Sequence, residues 1–179
     1  MAAGLALSTA APAQAARELF FEENAQAFWA PTHECEDGST VEGTLLVSPT
    51  RDFEAPETED ADPTTRVQFL AVCDDGTSFS WGVATAPSTI TSTENLKSLR
   101  TVGSGVARDI FGVPHEVTFD VTWTGSGPLE TTVNGPGSKR MQRAATATGL
   151  VTFDGEVLVN GPADHPTRPA PFIRVDTEK

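Results

Sequence analysis

Residues 116–128 read EVTFDVTWTGSGP and contain the clearest β-strand pattern of the chain. Apolar side chains occupy every second position from Val117 to Trp123 and alternate with polar ones, so a strand here has one apolar face and one polar face. This alternation is typical of an antiparallel sheet that covers a core with one side only. Residues 125–128, which are rich in Gly and Pro, predict a turn directly after the strand.

Asp-Gly pairs predict three further hairpins, because both residues tolerate the positive φ of a type I′ turn. They are Asp37-Gly38, Asp75-Gly76 and Asp154-Gly155. Four hairpins give about eight strands, so the sequence predicts an all-β fold. We expect an antiparallel β-sandwich, with an eight-stranded up-and-down β-barrel as the alternative. Two long connections, at residues 48–65 and 87–112, favour the sandwich because they let the chain cross between sheets.

The length of 179 residues suits a single domain with one core. Residues 1–15 carry no charge and end in Ala-Gln-Ala, a signal-peptidase pattern, so we predict a signal peptide there, with a disordered Ala-rich terminus as the alternative. Polar residues interrupt this stretch, which excludes a transmembrane helix. One β domain is predicted over 16–179, with a Pro-rich tail at 161–171 and a short edge strand at 172–175.

The two cysteines, Cys35 and Cys73, occupy matching places in the sequence. Each stands three residues before the Gly of an Asp-Gly turn, in the pentapeptides CEDGS and CDDGT. Export would place them in an oxidising compartment, where an even number of cysteines favours pairing, so we predict one disulfide. Two buried free thiols and a metal site are the alternatives, and a free Cys35 beside His33 would be a reactive pair.

Acidic residues outnumber basic ones by 25 to 12, which gives a formal net charge of -13. A surface of this sign repels phosphate backbones and anionic headgroups, so we expect no nucleic-acid or membrane-surface role. The charge is uneven, since residues 16–75 hold 15 acids and 3 bases. The acidic loop at 52–62 contains ligands that calcium prefers, but it lacks the spacing of a calcium loop and is punctuated by proline. We therefore predict a solvated loop, no metal site and no cofactor.

No catalytic motif appears in the sequence, and the three histidines stand far apart. Among the tryptophans, only Trp29 has a face that alternation does not fix, so it is the candidate for a surface ligand contact, with core packing as the alternative. The basic group Lys139, Arg140 and Arg143 is a second candidate contact for an anion or a partner, although a solvated hairpin loop explains it more simply.

The two Cys-x-Asp-Gly turns, the run VTWTGSGPL at 121–129 and the run ATGLVTFDG at 147–155 resemble secreted β proteins of high-GC bacteria. The resemblance is structural, and it implies a secreted or extracellular protein without assigning catalytic residues. We expect a non-catalytic module that binds an extracellular ligand or protein through its loops. An extracellular hydrolase that uses paired carboxylates and a barrel that carries a lipophilic ligand are the alternatives.

Overall fold

A computed structural model describes residues 19–55 and 62–178. The predicted signal peptide and residues 56–61 of the acidic loop lie outside the described residues. Strands dominate the described chain, which also contains a 3₁₀ turn at Glu94–Leu96. The strands are β1 (Leu19–Trp29), β2 (Thr32–Glu34), β3 (Thr40–Glu42), β4 (Thr44–Ala55), β5 (Thr64–Val72), β6 (Ser78–Ser92), β7 (Ser98–Asp109), β8 (Pro114–Gly135), β9 (Ser138–Phe153), β10 (Glu156–Pro162) and β11 (Phe172–Glu178).

The predicted all-β antiparallel class is confirmed. The large sheet has the order β10-β9-β11-β1-β4-β5-β6-β7-β8, and β8 also pairs with β9. Eight strands, β9 through β8 in this order, therefore have hydrogen-bonded neighbours on both sides, and the ladder returns from β8 to β9. β10 pairs only with residues 148–153 of β9. β2 and β3 form a separate small hairpin, which lies in the chain between β1 and β4. The expected edge strand after residue 171 is instead β11, which closes the ring between β1 and β9.

One core fills the ring, because every strand of the ring turns alternate residues inward. The alternation at 117–123 is confirmed, since Val117, Phe119, Val121 and Trp123 are all buried on β8. The same rule gives β5 the buried positions Val67, Phe69 and Ala71. Two threonines, Thr65 and Thr101, are fully buried, and their hydroxyl oxygens lie 2.8 Å apart.

The predicted type I′ turn forms at one Asp-Gly pair, and the prediction of this turn type is wrong for the other two. Asp154 and Gly155 both have positive φ, +49° and +82°, and they join Phe153 directly to Glu156 in register. At the other pairs only Gly38 and Gly76 have positive φ, and each glycine amide donates to the carbonyl of the cysteine three residues before it. These are type I turns followed by a left-handed glycine, which forms because one more residue stands in the loop.

The turn predicted at residues 125–128 is wrong, because β8 continues through it to Gly135. The ladder is irregular between Ser126 and Glu130 and then resumes, and the hairpin ends at residues 135–138. Gly125 has a different function, since its amide donates to Lys97 O at 2.8 Å and a Cβ on it would collide with the Leu96 carbonyl. The glycine therefore allows two backbones to approach closely and does not mark a turn.

The two long connections are also shorter than predicted. β4 continues to Ala55 and β5 begins at Thr64, while most of residues 87–112 belong to β6 and β7. The serine and threonine residues of 87–112 lie mostly in strands. Neighbouring residues such as Ile90, Leu99 and Ala107 are buried on the inward face of these strands. Within the described ranges, no helix is long and apolar enough to cross a membrane.

Candidate functional site

Four turns lie at one end of the ring, which we call the disulfide end. They are 35–39 after β2, 73–77 between β5 and β6, 109–113 between β7 and β8, and 154–155 between β9 and β10. The register places them together, because Val72 pairs with Ser78, Arg108 with Pro114, and Val117 with Phe153. Glycine at position 43 lets the β2–β3 hairpin fold over this end, since a Cβ there would collide with the Phe69 ring.

The predicted disulfide between Cys35 and Cys73 is confirmed, and it joins the first two of these turns. Both cysteines are buried, and their Cα atoms lie 6.1 Å apart. Their turns have matching hydrogen bonds, since each cysteine amide donates to the carbonyl four residues ahead, Ser39 O and Thr77 O, at 2.8 Å. The sulfur bridge therefore connects two copies of one backbone motif. It also removes the proposed reactive pair of His33 and Cys35.

The turn at 109–113 is a third copy of this motif. Asp109 N donates to Val113 O, Gly112 N donates to Asp109 O, and Gly112 has a φ of +82°. The two middle positions, which hold Glu-Asp and Asp-Asp in the other copies, here hold Ile110 and Phe111. Ile110 is 54% exposed and Phe111 is 81% exposed. The backbone of this turn accepts acidic residues elsewhere in the same chain, so folding does not explain the two exposed apolar side chains.

Ile110 and Phe111 form one side of a pocket of about 470 Å³ at the disulfide end. The facing side consists of the β2–β3 hairpin and the beginning of β6, with Glu34 and Glu36 on the rim. The remaining lining residues are His33, Cys35, Cys73, Thr77, Ser78 and Phe79. A cavity of this size, mostly apolar and bordered by a few charged groups, is typical of ligand-binding pockets.

Stacked rings support the wall of the pocket. His33 stacks on Phe79 with ring centroids 4.7 Å apart, and Phe79 meets the buried Phe69 edge-on at 6.1 Å. The row continues through Trp81 and Phe153 to His115 at the far side of the same end. The aromatic side of the pocket is therefore continuous with the core.

His115 connects the apolar turn to the next turn along the ring. Its Nδ1 lies 2.8 Å from Asp154 Oδ2, and its Nε2 lies 3.5 Å from Asp109 Oδ2. The hydrogen bond to Asp154, with help from Asp109, raises the pKa of His115 above its usual 6.5. The same contact, together with the Glu116 amide, lowers the pKa of Asp154.

Asp109 holds the apolar turn from within. Its Oδ1 accepts hydrogen bonds from the amides of Phe111 and Val113, both at 2.8 Å. Burial acts to raise the pKa of Asp109, but these amides and His115 outweigh burial, so the pKa is lowered. The Nδ1 atom of His115 is hydrogen-bonded to Asp154, while Nε2 is buried without a hydrogen-bond partner among the described residues and lies 3.5 Å from the Asp109 carboxylate. Because Nε2 is buried beside Asp109, the ring connects two turns and does not present a nitrogen to the pocket.

The disulfide end is strongly acidic. Segments 32–42, 72–80 and 109–115 contain seven acidic residues and no Lys or Arg. Hydrogen bonds from Ser39 and from Thr77 lower the pKa of Asp37 and of Asp75, so both carboxylates are ionised at neutral pH. The Asp37 charge also acts on Asp75, which shows that the two bridged turns place like charges near each other.

The residues predicted as ligand contacts lie elsewhere. Trp29 is 2% exposed in the core, and its Nε1 donates to Gly161 O at 3.1 Å, so its face is not a surface platform. The basic group does not converge on one site, because Arg140 pairs with Asp176 at 2.6 Å while alternation along β9 turns Lys139 and Arg143 to the opposite face. In the part of the chain that the structure describes, no three metal-ligating side chains converge.

Sequence reasoning missed Ile110 and Phe111, which it placed inside a long connection. The signal was present, because Asp109-x-x-Gly112 repeats the spacing of Cys35-x-x-Gly38 and Cys73-x-x-Gly76. Comparison of the chain with protein-family models, with curated proteins and with solved structures gave no match. The site therefore has to be interpreted from its own geometry.

Proposed function

We propose that this protein is a secreted, non-catalytic binding module that engages an extracellular ligand or protein partner through the loops of its disulfide end. The observation that carries the proposal is the exposure of Ile110 and Phe111 at turn positions that hold acidic residues in two sister turns. An exposed apolar pair that folding does not require is typical of a contact surface.

The surroundings of this pair support a prearranged site. Asp109 fixes the turn through two amides, and His115 connects it to Asp154. The bridge between Cys35 and Cys73 fixes the facing wall. A pocket whose walls are already ordered loses little conformational entropy on binding, which favours affinity.

The same geometry weighs against the two alternative functions. The interior of the ring is occupied by large side chains such as Trp123, Phe69 and Leu45, each below 2% exposure, and a carrier needs that space for its ligand. The carboxylates of Asp109 and Asp154 both lie against the His115 ring. Those of Asp37 and Asp75 accept hydrogen bonds from Ser39 and Thr77. A hydrolase that uses paired carboxylates needs both of them free to face a substrate.

Titration with indole, a neutral aromatic probe, tests whether the pocket accepts an apolar group. We expect amide chemical shifts in the NMR spectrum to change at residues 109–113 and 77–79 and around His33. Phe111→Asp copies the acidic residue of the sister turns, so it should fold and abolish these changes. Val133→Asp is the matched control, because Val133 is 73% exposed on the β8 arm at the opposite end. Shifts that persist in Phe111→Asp, or their absence in the parent protein, would contradict the proposed site.

Export is tested separately. If the predicted leader at residues 1–15 is removed on secretion, the intact mass of the exported protein corresponds to a chain that begins near residue 16. Recovery of full-length chain from the cytoplasm alone would contradict the secreted part of the proposal and leave the binding site untouched.

A further inference from the structure

We infer that the pocket at the disulfide end receives a cationic segment of a partner protein, in which an apolar side chain is flanked by Lys or Arg. This inference rests on the proposed function and names the chemistry of the partner. The apolar side chain would pack against Ile110, Phe111 and Phe79, while the flanking cations would face Glu34 and Glu36 on the rim.

The apolar part of the partner follows from what the pocket exposes. Phe111 and Ile110 present most of their side chains to solvent, and the opposite wall is the stacked pair of His33 and Phe79. Covering such a surface removes apolar area from water, which is favourable, so a leucine or aromatic side chain suits it. A purely hydrophilic cation would leave this wall exposed.

The positive charge of the partner follows from the rim. The Glu34 and Glu36 carboxylates have no hydrogen-bond or ion-pair partner among the described residues, and both side chains are exposed. One cation, Arg108, adjoins these segments, and its hydrogen bond to the neutral Gly112 carbonyl leaves its positive charge in place. Seven acidic residues on segments 32–42, 72–80 and 109–115 outnumber this single cation, so the pocket attracts cations and repels anions.

Arginine fits this site in two ways at once. Its guanidinium forms paired hydrogen bonds with a carboxylate, and its flat face stacks on aromatic rings such as Phe111 and Phe79. Attraction between exposed charges weakens as salt is added, because the screening length falls from about 10 Å at 0.1 M to about 3 Å at 1 M ionic strength. Binding of the cationic segment should therefore be salt-sensitive, and binding of a neutral probe should not.

Three capped pentapeptides test the inference by NMR titration of the whole protein. Each has a central leucine with two identical residues on either side, and these are arginine in the first peptide, glutamine in the second and glutamate in the third. We expect the arginine peptide to bind most tightly and to shift amides at residues 33–36, 77–79 and 109–113. The double variant Glu34→Gln and Glu36→Gln should bind it about threefold to tenfold more weakly at low salt and bind the glutamine peptide unchanged.

The matched control is Glu94→Gln with Glu130→Gln, which removes the same charge at the opposite end of the ring. If this pair weakens the arginine peptide as much as the Glu34 and Glu36 pair does, the attraction is non-specific and the inference fails. If the arginine and glutamine peptides bind equally and both lose binding in Phe111→Asp, the inference of a cationic partner is overturned. The proposed binding site would then still stand. Failure of all three peptides while indole binds would also overturn the inference alone.

Discussion

His115 shows how much one residue can connect at this end of the molecule. Its two ring nitrogens face carboxylates on two turns, and its ring face stacks on Phe153 at 4.5 Å. Nothing in the local sequence Val-Pro-His-Glu predicts this, because Asp154 stands 39 residues away. The contact exists only because β8 and β9 pair in a register that brings Val117 opposite Phe153.

The raised pKa of His115 predicts a pH-dependent stability. A histidine with a raised folded-state pKa contributes stability that is fully present below its unfolded pKa of about 6.5 and is lost as pH rises through the folded value. The contribution also falls in strong acid, because the lowered pKa of Asp154 means that its stabilising charge is lost as pH falls through that value. Urea unfolding of the parent protein and of His115→Gln across pH should show the largest difference near about pH 5 to 6. A difference that stays constant with pH would contradict the contact.

A second residue-scale prediction concerns the buried pair of Thr65 and Thr101. Thr65 donates to Ser88 Oγ at 2.9 Å, so its oxygen accepts the hydrogen of Thr101 at 2.8 Å. Thr65→Val leaves the Thr101 hydroxyl unpaired in the core, which costs about 1 to 3 kcal/mol in the free energy of unfolding. The double variant Thr65→Val with Thr101→Val removes both hydroxyls and should lose less than the single variant. Chemical denaturation of the three proteins checks this order, and additive losses would disprove the pairing.

At the scale of elements, the turns show where local sequence is sufficient and where it is not. Asp154-Gly155 forms the predicted type I′ turn because Phe153 and Glu156 flank it as a direct pair. Gly38 and Gly76 form a different turn, since the strand pairing closes one residue farther away, between each cysteine and the residue four positions on. The dipeptide was therefore a reliable signal for a turn, but the turn type depended on the register of the strands.

The disulfide could be predicted because it depends on a repeated local sequence. Matching pentapeptides at Cys35 and Cys73 indicated equivalent places on two turns, and the structure brings those places together. Ile110 and Phe111 were missed because alternation and Asp-Gly signals do not identify a turn whose middle residues are apolar. Exposed apolar residues in a turn run against the usual pattern, so the spacing of Asp109 and Gly112 could indicate the turn, while the exposure of its middle residues appears only in the structure.

Loss of the disulfide should destabilise the protein strongly, and by about the same amount whether one cysteine or both are replaced. The bridge closes an interval of 38 residues, and removal of a native disulfide costs about 2 to 5 kcal/mol. Cys35→Ser and Cys73→Ser should each lose that amount, and the double variant should lose little more, because one bridge is broken in every case. Denaturant unfolding of the three variants, with reduced parent protein as the control, measures this. The loss should be larger at low salt. The bridge keeps the like charges of Asp37 and Asp75 close together even in the unfolded chain, and this repulsion destabilises the unfolded chain most when salt does not screen it.

For the whole molecule, periodicity determined the class and long-range pairing determined the ring. The alternation of β8 is visible in the sequence, and it predicts a sheet with one buried face. No local pattern says that β11, after a Pro-rich tail, pairs with both β1 and β9. Period-two alternation specifies which side of a strand is buried, and it carries no information about which strand lies beside it.

The closed ladder predicts that the ring unfolds as one unit, because no ring strand can leave without breaking two sets of hydrogen bonds. Trp29, Trp81 and Trp123 lie buried on three different strands, so they report on separate parts of the ring. Tryptophan fluorescence and far-UV circular dichroism should therefore give coincident unfolding curves. Separate midpoints would mean that the ring consists of independently stable parts.

Removal of residues 172–179 tests the same idea from the closing strand. The truncation deletes β11 with its buried Ile173 and leaves β1 and β9 with open edges, which favour aggregation. We expect the truncated chain to lose the cooperative transition. Ile173→Val is the control, because it keeps both ladders and should lower stability by only about 0.5 to 1.5 kcal/mol with a single transition. A truncated chain that unfolds as cooperatively as the parent would show that the sheet does not need closure, and the core formed by the other seven strands would then have to be stable alone.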